Sequence, residues 1–344
     1  MYKLLLAAAA ISASCHATAI ELHRDGDSRL DLAGDISAHL KHSSLSEESQ
    51  LSLTDTEFTL LASHRTGPYS EFFANLTLTP ESEESFSDIY AKEAYVTYTN
   101  RKLGSVKYGT LPSPVSSVLA YTNQHKLNDY SIGHNNSEAN GFDVADNMIV
   151  FETKAKARSH SRGETTLQVG YQSKTSSELQ KTNHKYQALA EYRFEDLKLA
   201  GVYMTGEDTA TENKIETYSV SFSKGNYGNG FYIAGNYGIG KNAFTDRFKQ
   251  VLEDTSFYSV EVAHTLGNGV TVGANLHTAL TGDDVRGGIF SNANFESYAK
   301  FGLSYPISKK AKFEMSYLRD LNGDGAFERK DVDHTLKAGL RYSF

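Results

Sequence analysis

The stretch Val332-Asp-His-Thr-Leu-Lys-Ala-Gly-Leu-Arg-Tyr-Ser-Phe344 closes the chain, and the rest of the sequence is read from it. In steps of two, one face carries His334, Leu336, Ala338, Leu340, Tyr342 and Phe344. The other carries Thr335, Lys337, Gly339, Arg341 and Ser343. An extended strand turns alternate side chains to opposite faces, so one side is apolar and the other charged. The edge strand of a soluble sandwich also alternates. About ten residues with aromatics at the end, however, suit a strand that crosses a bilayer with lipid outside and water inside.

The same pattern recurs upstream. In Arg29–Lys41, Leu30, Leu32, Gly34, Ile36, Ala38 and Leu40 face out, and Asp31, Asp35, Ser37 and His39 face in. Further runs fall near Thr54–His64, Tyr69–Thr79, Ile89–Thr99, Gly104–Thr110, Asp146–Ala157, Thr165–Gln172, Tyr186–Phe194, Leu197–Thr205, Ile215–Ser223 and Gly230–Gly238. Thr255–Leu266, Val270–Leu280, Phe295–Tyr305 and Lys312–Leu318 precede the closing strand, which makes about sixteen. Their connections alternate in length. Short ones fall at Gly67-Pro68, Asn100-Arg101, Glu195-Asp196, Gly267-Asn268 and Pro306–Lys309; long ones include His42–Leu53, Pro80–Asp88, Leu111–Ala145 and Arg319–Asp331. Short periplasmic turns and long outer loops are the habit of outer-membrane barrels. The expected fold is therefore all-β: one closed, transmembrane antiparallel β-barrel over 20–344, in the cell outer membrane, with no sheet edge left open.

Composition agrees once this pattern is seen. Hydrophobic residues are only 39% of the chain, and the mean hydropathy of −0.45 would suit a soluble protein. A barrel needs lipid-facing side chains at alternate positions alone, so the average hides them. Tyr (21) and Phe (18) with no Trp fit aromatic girdles at the strand ends. A formal net charge of −8 argues against nucleic acid as a partner. At the start, Lys3, the apolar run Leu4–Ala13 and the small residues of Ala17-Thr-Ala19 read as a secretory signal peptide over 1–19. Its cleavage would remove Cys15, the one cysteine, and leave no disulfide to form.

Three stretches carry a family resemblance. Ile20-Glu-Leu-His-Arg-Asp-Gly-Asp-Ser-Arg-Leu-Asp-Leu-Ala-Gly-Asp35 resembles the entry strand of the Gram-negative general diffusion porins. Ala94-Tyr-Val-Thr-Tyr98 with Leu103-Gly-Ser-Val-Lys-Tyr-Gly109 looks like their fourth and fifth strands, and Leu336–Phe344 like their last. The end on Phe344 also resembles the signal that such barrels present to the barrel assembly machinery. The resemblance implies a sixteen-stranded, water-filled homotrimer among outer-membrane lipid and lipopolysaccharide. It also implies a third loop folded into the pore, with acids facing a ladder of basic residues. This chain departs from that pattern. Asp35 stands where a lumen lysine is expected, Thr59 and Thr110 where arginines are, and the third loop opens Leu111-Pro-Ser-Pro-Val115.

A stretch as long as 111–145 without alternation is unusual unless functional; the reading is a pore eyelet whose acids set ionic preference, and a solvated outer loop of ordinary acidic content is the alternative. Asp31, Asp35, Glu57, Thr59, Lys107 and Thr110 on the wall, with Asp129, Glu138 and Asp143 on the loop, are the expected constriction. Lys41, Lys337 and Arg341 lie nearer strand ends or the seam, so the pore should prefer cations. Passive diffusion of ions and small hydrophilic solutes is the function this predicts. A ligand-specific channel, for an oligosaccharide for example, would need a track of lumen aromatics, and Phe73, Tyr95 and Tyr232 are few. No serine with a convincing histidine and carboxylate arrangement suggests a barrel enzyme, so none is expected. His39 and His277 read as pore-wall residues.

One further motif stands apart. Asp320-Leu-Asn322-Gly-Asp324-Gly-Ala-Phe-Glu328-Arg-Lys-Asp331 places oxygen donors at positions 1, 3, 5, 9 and 12 with glycine at 6, as in an EF-hand loop. It has Asp in place of the final Glu and no flanking helices. A structural calcium there is one expectation, and a plain polar turn is the other.

Overall fold

The structure, a computed structural model, describes residues 19–44, 49–53, 56–80, 89–124, 144–156, 163–173, 175–176, 181–209, 212–245, 251–281, 293–321 and 334–344. Sixteen antiparallel strands form the wall. They are β1 (Ser28–Ser43), β2 (Glu57–Gly67), β3 (Ser70–Pro80), β4 (Ile89–Asn100), β5 (Gly104–Pro112) and β6 (Val144–Lys156). Next come β7 (Gly163–Gln172), β8 (Lys181–Phe194), β9 (Leu197–Asp208), β10 (Lys214–Asn226) and β11 (Asn229–Thr245). The ring ends with β12 (Val251–Thr265), β13 (Thr271–Thr281), β14 (Ala293–Pro306), β15 (Ala311–Asp320) and β16 (His334–Ser343). Each pairs with the next, and β16 pairs back onto β1 from Thr335↔Ser43 to Ser343↔Asp35. The barrel is closed, so no backbone edge meets lipid.

The closing strand has the two faces its sequence gave it. Leu336 and Leu340 are exposed on the outside, while Lys337 and Arg341 are only 4% exposed on the inside. The seam itself is tight. Gly34 and Phe344 exchange both backbone hydrogen bonds at 2.9 Å, and the Phe344 ring lies 6.2 Å from that of Phe58. A Cβ at Gly34 would fall 2.4 Å from the Glu57 carbonyl oxygen and 3.0 Å from the Phe344 ring. Gly339, on the other side of the seam, meets the Ala38 carbonyl in the same way. These two glycines allow the first and last strands to approach.

Three features differ from the sequence reading. Residues Ile20–Asp25, expected as a lead, form a short strand that pairs with the start of β1, Asp25 opposite Ser28. The outer ends of several strands run well past the bilayer pattern: β8 begins at Lys181, and β11 and β12 extend to Thr245 and from Val251. Hydrogen-bonded hairpins there continue the ladder after the lipid-facing alternation has ended. The third loop is also more ordered at its start than expected. Ser113 caps a short helix, α1 (Pro114–Leu119), by accepting a hydrogen bond from the Ser116 backbone N–H at 3.0 Å. Proline at the first helical turn lacks only an N–H that would be unpaired there anyway.

Candidate functional site

Helix α1 lies inside the barrel. Val115, Val118 and Leu119 fall at i, i+3 and i+4 on one helical face and are almost fully buried. They join Leu189 of β8, Val202 and Met204 of β9, Ile215 of β10 and Phe257 of β12 in one apolar cluster. Polar contacts fix the path along the wall. The Val115 N–H donates to Gln187 Oε1 on β8 at 3.2 Å, and Ser221 Oγ on β10 donates to the Val118 carbonyl at 3.1 Å. Tyr232 on β11 donates to the Tyr121 carbonyl at 2.6 Å, and Asn275 on β13 to the Thr122 carbonyl at 2.6 Å. Gln124 N–H reaches Glu261 Oε2 on β12 at 2.9 Å. The Tyr121 hydroxyl donates to Glu191 on β8. Burial first, then that hydrogen bond, raises the Tyr121 phenol above its usual range, so the donor stays protonated. The chain leaving β5 therefore lines the lumen side of β8 to β13.

The wall charges are laid out in pairs. Asp31 accepts from Arg29 at 2.8 Å, and Glu57 from Lys92 at 2.7 Å. Lys107 lies 3.3 Å from Glu152, which Lys154 and Gln168 also contact. Thr59 bonds to Thr77, and Asn75 spans Thr77 and Glu93. Between β15 and β16, Glu314 accepts from Arg341 at 2.8 Å and from Lys312 at 2.6 Å, with Glu314 and Arg341 both almost fully buried. Lys337 and Lys41 stand directly opposite each other on β16 and β1, and Lys300 of β14 faces the same side.

The expected constriction residues divide accordingly. Asp31, Asp35, Glu57, Thr59 and Lys107 share the lumen face. Asp35 is drawn into the seam, where the Ser343 hydroxyl donates to it. Thr110 does not belong with them. It pairs with outward Ala94 and shares its face with exposed Tyr108, and its hydroxyl donates to Asp146 at 2.8 Å. An odd separation from Lys107 along one strand puts it on the opposite side. Asp129, Glu138 and Asp143 lie outside the described residues, as do Asn322, Asp324, Glu328 and Asp331. Asp320 ends β15 opposite Tyr298. Sequence reasoning missed Lys92, Glu93, Glu152, Glu191, Glu261, Lys300, Lys312 and Glu314. All but Lys92 stand at lumen parity in their strands, so extending the alternation would have found them; Lys92, next to Glu93, reaches Glu57 through a bulge in β4 that counting by two cannot show. It also missed that Tyr95 packs against Leu111 and Met148, and that Tyr232 is buried against the third loop.

A closed barrel of sixteen strands with a polar interior, and a loop folded back along its inner wall, defines an outer-membrane channel protein. The family model described as Gram-negative porin matches residues 5–339. The chain belongs to that family, and its place is the outer membrane. Among solved structures, OmpF of Salmonella typhi in complex with daunomycin superposes with a TM-score of 0.79 at 14% identity, covering 94% of this chain and 100% of that one. The anion-selective porin from Comamonas acidovorans gives 0.69 at 13% identity, covering 92% and 100%. OmpT of Vibrio cholerae, in its trimer form, gives 0.68 at 11% identity, covering 93% and 100%. No curated protein sequence matches the chain.

Proposed function

We propose that the protein is a non-enzymatic, water-filled channel for passive diffusion of ions and small hydrophilic solutes across the outer membrane. The observation that carries this reading is the third-loop segment 113–124, bonded along the inside of a sixteen-stranded barrel. Barrels of that size hold water rather than a side-chain core, and an inward loop narrows the passage without closing it off as a plug domain would. A ligand-specific channel is less well supported, because of the three candidate lumen aromatics Tyr95 and Tyr232 are used in packing and Phe73 alone is exposed. Purified protein in a planar bilayer is expected to conduct in steps. A barrel that inserts and never conducts overturns the proposal.

The charge preference is read as weakly cationic. Ion pairing neutralises most of the wall, so the overall acidic balance of the chain and the acids of 125–143 decide the sign. A low-dielectric wall focuses that field on passing ions. The zero-current potential under a KCl gradient is expected on the potassium side. Salt should weaken it as the Debye length falls from about 10 Å at 0.1 M to about 3 Å at 1 M. Glu314→Gln leaves Arg341 and Lys312 beside Lys337 and Lys41, and should move the potential towards chloride. No movement would place this cluster away from the ion path.

The assembly is read as a homotrimer. Ala38, Ala62, Ala74 and Ala94 are exposed on the outer face of β1 to β4, and Ala62 sits directly opposite Ala74, so a neighbouring barrel can approach closely. Gly34, which also faces outward, is covered by the Phe344 ring. Unheated electrophoresis should show a species about three times the 37.9 kDa chain mass, and a monodisperse monomer refutes it. Recognition by the barrel assembly machinery through Phe344 belongs to the same reading. The 320–331 loop is proposed to bind calcium, on the spacing of its oxygen donors. Calcium should then slow protease cleavage there, and Asp320→Ala with Asp324→Ala should abolish that protection. Cleavage indifferent to calcium in the unmutated protein refutes it.

A further inference from the structure

Three buried polar atoms without hydrogen-bond partners cluster on the inner wall, behind the root of the third loop. They are Lys185 Nζ and Gln187 Nε2 on β8 and Gln172 Oε1 on β7. The three residues are at most 1% exposed. Lys185 stands directly opposite Gln172 in the ladder, and Gln187 lies two residues further along the same face. The Lys185 stem packs over Gly206 of β9, where a Cβ would lie 2.8 Å from its Cγ. Backbone bonds fix which end of each carboxamide is which. Gln187 Oε1 accepts from the Val115 N–H at 3.2 Å, and Gln172 Nε2 donates to the Asp146 carbonyl at 3.1 Å. Neither amide can turn round without giving up the bond it has.

A buried ammonium is strongly unfavourable unless something of opposite charge accepts from it. Among the described residues no carboxylate does so for Lys185. Asp208, two residues beyond Gly206 on β9, lies opposite Thr182 instead. The donors outnumber the acceptors here. An ammonium carries three hydrogens and a carboxamide nitrogen two, against the single carbonyl oxygen of Gln172. One Lys185 hydrogen suits that oxygen, and the rest call for a negatively charged acceptor shared with Gln187. A water would satisfy the geometry and leave the charge uncompensated. Met148 and Pro114 crowd Gly170, which stands opposite Gln187, so the occupant is small.

We propose that Lys185 and Gln187, with Gln172 beside them, bind one small monovalent anion, of the size of chloride, behind the third loop. Gln187 joins the anion to the loop, because its other end holds the Val115 N–H of α1. The anion thus strengthens the docking of α1, and docking strengthens the hold on the anion by the same factor. The site lies on β7 and β8, across the barrel from the Lys41, Lys300, Lys337 and Arg341 group on the wall. It is independent of whether the channel conducts.

The test uses the full-length protein folded in detergent, with chloride exchanged for gluconate at constant ionic strength. The readout is the rate at which protease cuts within 113–124. At about ten times its dissociation constant, chloride should slow cutting about tenfold by mass action on the docked loop. Gluconate is too large to enter and should not protect. Lys185→Met keeps a stem over Gly206 and removes the charge, so its cutting rate should be the same in both salts. Lys224→Met makes the same change at an exposed position at the other end of β10, and should keep the chloride effect. Equal rates in the two salts for the unmutated protein overturn the proposal, and so does a chloride effect that survives in Lys185→Met. If Lys185→Met fails to fold, crystals of the unmutated protein soaked in bromide decide the matter. One anomalous peak beside Lys185 Nζ is expected, and bromide at exposed lysines alone, an adventitious ion only, overturns the site.

Discussion

Val118→Asp is expected to detach the third loop from the barrel wall. Val118 is fully buried in the apolar cluster between α1 and β8 to β12. At about 1.5–3 kcal/mol for each buried apolar side chain, Val115, Val118 and Leu119 together hold the helix with about 5 kcal/mol. Aspartate removes about 2 kcal/mol of that and leaves a carboxylate without a cation, which costs a further ~3–5 kcal/mol when buried. The sum cancels what the apolar face contributes and leaves the loop held by its hydrogen bonds alone. The bond from the Val115 N–H to Gln187 and those that Ser221 and Tyr232 donate contribute only about 1 kcal/mol each, and water competes for them once the apolar face is lost. Single-channel steps should grow and flicker, and protease should cut within 113–124, which should stay protected in the unmutated protein. Val118→Ala is the control, because a loss of about 2 kcal/mol leaves docking favourable. Unchanged steps in Val118→Asp, with the barrel folded, would mean that this loop does not narrow the pore.

Gly34→Val is expected to abolish the folded barrel almost completely. The valine Cβ would fall 2.4 Å from the Glu57 carbonyl, a backbone atom that cannot move without shifting β2. Its methyl groups would also displace the Phe344 ring, which is 1% exposed beside Phe58. Closing the barrel joins β1 to β16, and an unclosed sheet leaves polar backbone edges in lipid, each costing several kcal/mol. Overpacking alone costs about 1–3 kcal/mol; the lost closure multiplies it. Outer-membrane fractions should contain little of the heat-modifiable species that marks a folded barrel. Gly201→Ala, where a Cβ meets its nearest neighbours at an ordinary 3.9 Å, should retain it. A folded Gly34→Val protein would show that the seam tolerates a gap.

The alternation in Val332–Phe344 and its repeats named the lipid and water faces correctly because facing in a strand is local: it depends on counting by two, whatever the strand pairs with. The same rule was enough to place Thr110, three residues after Lys107, on the outer face. The family pattern suggested otherwise, and parity was the better guide. The number of strands and the segregation of short and long connections were equally legible, since each is written in consecutive residues. The pore wall was not. That Lys337 meets Lys41 and that Asp35 is held by Ser343 depend on the stagger between the first and last strands, and that Glu314 sits between Lys312 and Arg341 depends on the register of β15 with β16. The third loop shows the same division. Leu111-Pro-Ser-Pro-Val115 carries a helix start that a cap and a proline explain locally. Its docking needed a wall whose Leu189, Met204 and Ile215 come together only when β8, β9 and β10 are in register. Local backbone geometry thus settled which way each side chain faces, and long-range strand register alone decided which of them meet inside.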